Sequence, residues 1–177
     1  MEELAHVKVK RTGDYPDDFY DSMLMNDNAK PDYLLLKKTQ PYWITILHNG
    51  FRNLDDWGMA LSAQFNSQVI IVAAQSTAGY YAFSLYESGK LIRGIEYCYG
   101  EDFEPVNKGE KFSFEGEEPG TRVEDDEVSE YIFDYDSIIS YADHFGLNLN
   151  DDFEASGWTI MKKDKPWWKF YFFNLNT

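Results

Sequence analysis

Cysteine is almost absent: Cys98 is the single thiol in 177 residues. That count excludes an intramolecular disulfide and any Cys-rich zinc module. A lone thiol fits the reducing cytosol. Histidine is scarce too, and His6, His48 and His144 lie far apart with no H-E-x-x-H pattern between them. Surface or core histidines are therefore expected, and no metal site. Neither G-x-x-x-x-G-K-[ST] nor G-x-G-x-x-G occurs, so no glycine-rich cradle for a nucleotide is encoded and no cofactor is expected. The longest apolar runs, such as Val69 to Ala74, fall far short of the roughly 20 residues a membrane helix needs. The N-terminus MEELAHVKVKR is charged from its second residue and lacks the apolar stretch of a secretory leader. A soluble, cytoplasmic protein is expected, or one whose leader has been removed. Basic residues are the last scarcity: 16 stand against 31 acidic ones, a formal net charge of −15. Such a balance argues against sequence-independent binding to DNA or RNA phosphates.

Aromatic residues are abundant, at 18% of the chain, within a hydrophobic fraction of 44%. A chain of this length buries roughly 70% of its unfolded surface, enough for a core without disulfides or metal. The length predicts one domain spanning residues 1–177. The acidic excess is unevenly placed. Residues 101–136 hold 14 acids and 3 bases, a net −11, while the rest is nearly balanced. Pro105, Pro119 and glycines 109, 116 and 120 mark residues 101–127 as largely loop, and residues 12–32 read as a second long connection. The acidic stretch has two readings: a solvated loop that aids solubility, or a docking surface for a basic partner whose association it would accelerate.

The periodicities predict an α+β fold: a mixed or mainly antiparallel sheet of six to eight strands with two principal helices. A strand is expected over residues 4–10. Tyr33 to Lys37 and Tyr42 to His48 form a β-rich pair separated by KTQP, a hairpin signal. Asn53 is expected to cap a helix carrying Asp55 and Asp56 in its first turn, with Trp57, Leu61 and Phe65 as its apolar stripe. Strands follow over Gln68 to Gln75, Tyr80 to Glu87 and Leu91 to Tyr99, the last two joined by Glu87-Ser88-Gly89-Lys90, a tight turn with glycine at a permissive position. Another is expected near Lys111 to Phe114. Asp136 is placed at the N-cap of a second helix bearing Ile138, Ile139, Ala142 and Phe145, with Gly146 at C′. Trp158 to Lys162 and the aromatic run Trp167 to Leu175 close the chain. The expected core includes Leu35, Trp43, Ile46, Trp57, Leu61, Phe65, Ile70, Val72, Phe83, Leu85, Ile95, Ile139, Ala142, Phe145, Phe170 and Phe172.

An internal similarity links YLLLKKTQPYWITI (residues 33–46) to WTIMKKDKPWWKFY (residues 158–171). Without gaps Lys37 matches Lys162, Lys38 matches Lys163, Pro41 matches Pro166 and Trp43 matches Trp168, while the aromatics Tyr33 and Tyr42 align with Trp158 and Trp167. A duplicated hairpin and a convergent hairpin grammar both account for it; the intervening lengths do not support a fixed-period array.

Cys98 and His48 are the one nucleophile and base pairing on offer, but the acids and aromatics around Cys98 would raise its thiol pKa. Glu115 and Glu117 flank Gly116 and provide a carboxylate pair, with no sign of a cleft between them. Asn148 to Asp152 lacks the glycine and the bidentate glutamate of a calcium loop. No catalytic residue is assigned, and the chain reads as a non-enzyme. The tryptophans keep open a carbohydrate or small-ligand module built on exposed Trp and Tyr faces.

The helix LDDWGMALSAQF, the strand QVIIVAAQ, the hairpin AFSLYESGKLIRGIEY and the later KGEKFSFEGEE lie in the block from Leu54 to Glu115. In this grammar the block resembles small cytoplasmic immunity proteins of bacterial polymorphic-toxin systems. The resemblance implies a non-enzymatic α+β protein that binds and blocks a cognate toxin, often a basic nuclease. No residue is carried over from it, because such families share no catalytic motif. From the charge pattern, the expected partner-binding residues are Glu115, Glu117, Glu118, Glu124, Asp125, Asp126 and Glu127, with Tyr131 and Tyr135 as aromatic anchors.

Overall fold

In a computed structural model the described residues are 7–13, 16–17, 19, 21, 31, 33–50, 54–99, 103–124, 129–149 and 157–163. They fall into two compact units, Met1–Arg52 with Asp151–Thr177, and Asn53–Asn150. The α+β class and the antiparallel pairing are as the periodicities predict. Among the described residues, however, ten strands are shared among three sheets, where one sheet of six to eight was expected. No helix among the described residues is long and apolar enough to cross a membrane.

The first unit is an antiparallel sheet of β1 (Val7–Gly13), β2 (Tyr33–Gln40), β3 (Trp43–His48) and β10 (Trp158–Lys163), in the order β1-β10-β2-β3. The strand expected over residues 4–10 is present from Val7 and continues to Gly13, while residues 4–6 lie outside the described residues. Pro41 and Tyr42 make the turn of the β2–β3 hairpin, shorter than the KTQP connection implied by composition. β-branched and aromatic residues fit a pleated surface covered on one side. Tyr33, Leu35, Trp158 and Ile160 share the covered face with Phe19 and Leu47. Leu35 pairs with both Leu47 and Ile160, so one leucine sits at the centre of three strands. At the open end of the hairpin the buried Asn49 accepts from the Tyr33 N–H at 3.1 Å and donates its own N–H to the Tyr33 carbonyl at 3.3 Å. Trp167 to Leu175, including Phe170 and Phe172, and with them the second half of the proposed duplication, lie outside the described residues.

The second unit holds the sheet β4 (Gln68–Gln75), β5 (Tyr80–Glu87), β6 (Lys90–Cys98) and β7 (Val106–Gly109), and a two-stranded ribbon of β8 (Thr121–Glu124) and β9 (Ser129–Ile132). The β5–β6 hairpin turns on Ser88 and Gly89, both at positive φ, the geometry that matches the twist of adjoining strands. The expected strand at Lys111 to Phe114 is a turn instead, and the ladder runs through Val106–Gly109. Phe83, Leu85, Ile95, Phe133, Ile138 and Tyr141 form the core on one face.

Helix α1 (Asp55–Phe65) departs from its apolar-stripe reading. It buries Gly58 and Ser62, while Trp57 and Leu61 are half-buried and Phe65 is 65% exposed. The reason is Tyr86, whose ring fills the space beside Gly58: a Cβ there would stand 2.4 Å from the ring. The Tyr86 hydroxyl donates to the Asp55 carboxylate, and Ser62 Oγ accepts from the Gly89 N–H at 3.0 Å. Small and polar residues therefore make the contact. Leu54, not Asn53, occupies the N-cap, with no side-chain cap. Helix α2 (Tyr135–His144) is capped by Asp134, which accepts from the Ser137 N–H at 2.9 Å; Asp136, expected at the cap, is the second residue of the first turn. Gly146 takes C′ as predicted, and the Gly146 and Leu147 N–H groups bond to the Asp143 and Ala142 carbonyls in a Schellman motif. Ile46, an expected core residue, is 39% exposed, whereas Tyr33, Tyr86, Phe133 and Trp158 are buried without having been expected.

Candidate binding surface

The two units differ sharply in charge. Residues 53–150 carry 19 acids and 5 bases, a net −14, while the remainder carries 12 acids and 11 bases, a net −1. Any electrostatic surface therefore belongs to the second unit, and its acids concentrate in the segment that follows β6.

That segment is not a loose loop. Arg93 stands in the middle of β6, and its guanidinium grips the Glu115 carboxylate bidentately, Nε to Oε1 at 2.8 Å and Nη2 to Oε2 at 2.7 Å. Both side chains are wholly buried. A third guanidinium N–H, from Nη1, donates to the Lys108 carbonyl at 2.8 Å, and the Phe112 N–H donates to Glu115 Oε1 at 3.0 Å. Tyr141 of α2 hydrogen-bonds the same carboxylate. A buried pair survives desolvation only when its remaining polar sites are filled in this way. Burial pushes the Glu115 carboxyl up, but the Arg93 and Phe112 hydrogen bonds outweigh it and hold the group below its ordinary value. Burial raises the Tyr141 phenol.

Aromatic packing completes the anchorage. Phe112 and Phe114 stack at 5.2 Å and meet the Tyr141 and Phe145 rings, and Phe114 lies over His144 at 3.7 Å. Further on, Pro119 is buried and Gly120 adopts φ +95 where a Cβ would stand 2.2 Å from the Ile132 carbonyl oxygen. Only glycine lets the two strands of the ribbon meet there. Tyr99 holds the same end of the ribbon: its hydroxyl accepts from the Phe133 N–H at 2.9 Å and donates to the Phe133 carbonyl at 3.1 Å.

Against this frame the expected binding residues separate. Glu115 is spent internally and offers nothing to a partner, which corrects its placement on the docking surface. Glu117 and Glu118 are exposed. Lys111 Nζ holds the Glu117 and Gly116 carbonyls, leaving the Glu117 carboxylate out of that contact, and Glu118 accepts from Asn107 at 3.4 Å. Glu104, Glu110 and Glu130 add exposed acids that were not singled out. Glu124 ends β8, and the surroundings of its side chain, like Asp125, Asp126 and Glu127, lie outside the described residues. Tyr135 is 45% exposed at the start of α2, and Tyr131 is half-buried in β9. Arg93, Tyr99 and Tyr141 were missed. The signal for Arg93 was available: one cation inside the apolar strand LIRGI requires a buried anion.

The other candidates are engaged locally. Cys98 Sγ donates to the Ala78 carbonyl at 3.4 Å, while His48, in the other unit, accepts the Gly50 N–H at Nδ1, 3.2 Å away. Burial lowers the His48 pKa. The Glu115 and Glu117 carboxylates are separated by burial, one paired with Arg93 and the other in solvent. Among the described residues no group of three or more His, Cys, Asp or Glu side chains is placed to hold a metal ion. Of the described tryptophans, Trp43 and Trp57 are half-buried and Trp158 is fully buried. No protein-family model matches the chain, and no curated protein or solved structure matches it.

Proposed function

We propose that the chain is a non-enzymatic acidic binding protein that receives a basic protein partner on the surface built from residues 103–136, in the manner of an immunity-type inhibitor of a basic toxin. The observation that carries the reading is the Arg93–Glu115 bolt. It fixes the backbone on which Glu117 and Glu118 stand exposed, so the field they create has a defined shape. A preorganised acidic surface raises the association rate and selects the sign of the partner, while half-exposed aromatics such as Tyr135 supply desolvated contact area. The resemblance of the Leu54 to Glu115 block to immunity proteins points the same way.

The test is capture of partners from the native host, repeated with Glu117→Gln/Glu118→Gln and with residues 124–127 neutralised. Association with a basic partner is expected to slow as the Debye length shrinks from about 10 Å at 0.1 M salt to 3 Å at 1 M. It should slow similarly in the neutralised variants. A partner bound unchanged by both variants at both salt concentrations would overturn the reading.

A further inference from the structure

The charge of the second unit is confined to part of it. In a chain with 27% charged residues, residues 57–86 hold none. This run comprises α1 beyond Asp56, all of β4, and β5 up to Tyr86. Within it Phe65, Met59, Ala60, Ala63, Ala73 and Ala74 are exposed. β4 is an edge of its sheet, and among the described residues its outer side carries no strand. It is eight residues long and pairs with β5 from Gln68 opposite Glu87 to Gln75 opposite Tyr80 without a bulge. It holds neither charge nor proline, so the devices that usually blunt an edge are missing. The opposite edge has them. β7 is four residues long, contains the exposed Lys108, and is flanked by the exposed Glu104 and Glu110. Ile70 and Val72 pack against the core on one face of β4, and α1 packs against the other. Covered above and below, Val69 to Val72 are still half-buried, which leaves the lateral side as the open one.

We propose that β4 is the interface for a second copy of this chain, the two β4 strands pairing antiparallel about a two-fold axis to continue one sheet through both copies. Charge selects this occupant. A partner recognised through its charge finds none to read on residues 57–86. A two-fold contact sets each surface against itself, so on a unit of net −14 it requires a neutral patch. The sheet order then keeps the acids apart. The β7 strands of the two copies lie seven strand spacings apart, about 34 Å at about 4.8 Å each. That is several times the Debye length of about 8 Å at physiological salt. Self-pairing through β7 would instead bring Glu104 and Glu110 of both copies together. The side chains fit as well. A two-fold axis perpendicular to an antiparallel pair passes through a residue that stands opposite itself, and each face of the sheet continues across it. With Ile71 on the axis, Ile70 stands opposite Val72 of the second copy, and Val69 opposite its Ala73. The half-buried branched residues thus complete their burial, and the exposed alanines give them room.

Sedimentation of the full chain, combined with hydrogen exchange read residue by residue by NMR, tests this. A reversible dimer is expected, with protection of the β4 amides that face away from β5 growing with protein concentration. Salt should strengthen the dimer, because screening relieves the repulsion between two acidic units. Association with a basic partner responds to salt in the opposite sense, so this proposal and the proposed function fail separately. Ala73→Lys, a charge at an exposed edge position, should leave the chain monomeric at every concentration while the amides between β4 and β5 keep their protection. Glu117→Gln/Glu118→Gln should leave the dimer intact. A chain that stays monomeric without substitution would overturn the proposal, as would a dimer that survives Ala73→Lys or weakens with salt. Concentration-dependent protection at another strand instead of β4 would overturn it equally.

Discussion

The ammonium of Lys37 lies 5.5 Å from the centroid of the Trp158 ring, and its counterpart by sequence similarity, Lys162, lies 4.7 Å over Tyr33. The reciprocity follows from register. β2 and β10 pair antiparallel about Leu35 and Ile160, themselves equivalent positions in the two similar segments. Each lysine therefore crosses to the aromatic that opens the other segment, and the first halves of the two motifs are related by a local two-fold axis.

Removing either cation should weaken the first unit equally. Lys37→Gln and Lys162→Gln are each expected to cost about 0.5–1 kcal/mol, the range of a cation over a ring at a partly exposed site. Denaturant titration of both single variants and the double variant measures it, and near-additivity is expected because the two pairs share no ring.

Breaking the buried ion pair on one side should be far more costly than removing it altogether. Glu115→Gln or Arg93→Met is expected to lose about 3–5 kcal/mol, because the surviving partner is left buried and uncompensated. The double change Arg93→Met/Glu115→Met should recover much of that loss. For pH the sign follows from the lowered carboxyl. The stabilisation is complete above the unfolded value of 4.5 and is lost as pH falls below it through the folded value. Unfolding midpoints measured between neutral and strongly acidic pH check it.

His48 gives a second window of pH dependence. Burial lowers its pKa, so the unfolded chain binds the proton more readily, and stability falls as pH drops from 6.5 toward the folded value. His48→Asn should flatten that part of the profile in the first unit while leaving the carboxylate window intact.

Gly58→Ala reverses the usual helix rule. Alanine favours a helix interior by about 1 kcal/mol over glycine. Here the added Cβ would meet the Tyr86 ring at 2.4 Å, and overpacking costs typically 1–3 kcal/mol. A net loss of melting temperature is expected, relieved when Tyr86→Leu is combined with it.

Asp134→Ala should destabilise α2 by about 1 kcal/mol, the usual cost of a lost N-cap, whereas Asp136→Ala should cost only a few tenths through the helix dipole. Thermal melts of the two variants separate the positions.

The strands β4, β5 and β6 were legible almost to the residue, because Gln68–Gln75, Tyr80–Glu87 and the tight turn between β5 and β6 carry signals of short range. What escaped detection depends on contacts across the chain. Asp134 and Asp136 offer the same side chain two residues apart, and only the docking of α2 onto Phe83 and Phe133 selects the cap. The stripe Trp57, Leu61, Phe65 has helical spacing, yet Tyr86 claims the face of Gly58 and Ser62 instead. In the acidic stretch, composition correctly marked turns but concealed β7, β8 and β9. Glu115 looked like its neighbours because its partner, Arg93, stands 22 residues earlier. Charge density can be read from a sequence; which carboxylate is neutralised internally is a matter of tertiary pairing.

The connectivity of the two units bears on the order of folding during synthesis. Residues 53–150 are continuous in the chain, and their hairpins bring neighbours together in sequence, so this unit can fold while the polypeptide is still being made. The other unit cannot. β10, which sits between β1 and β2, emerges some 120 residues after β2 begins. Until the ribosome has released Lys163, β1 lacks β10, its partner among the described residues, and the β2–β3 hairpin lacks the same flanking strand. The N-terminal strand is therefore the last to find its place, and the interval before it does is the chain's most exposed moment to aggregation and to chaperones.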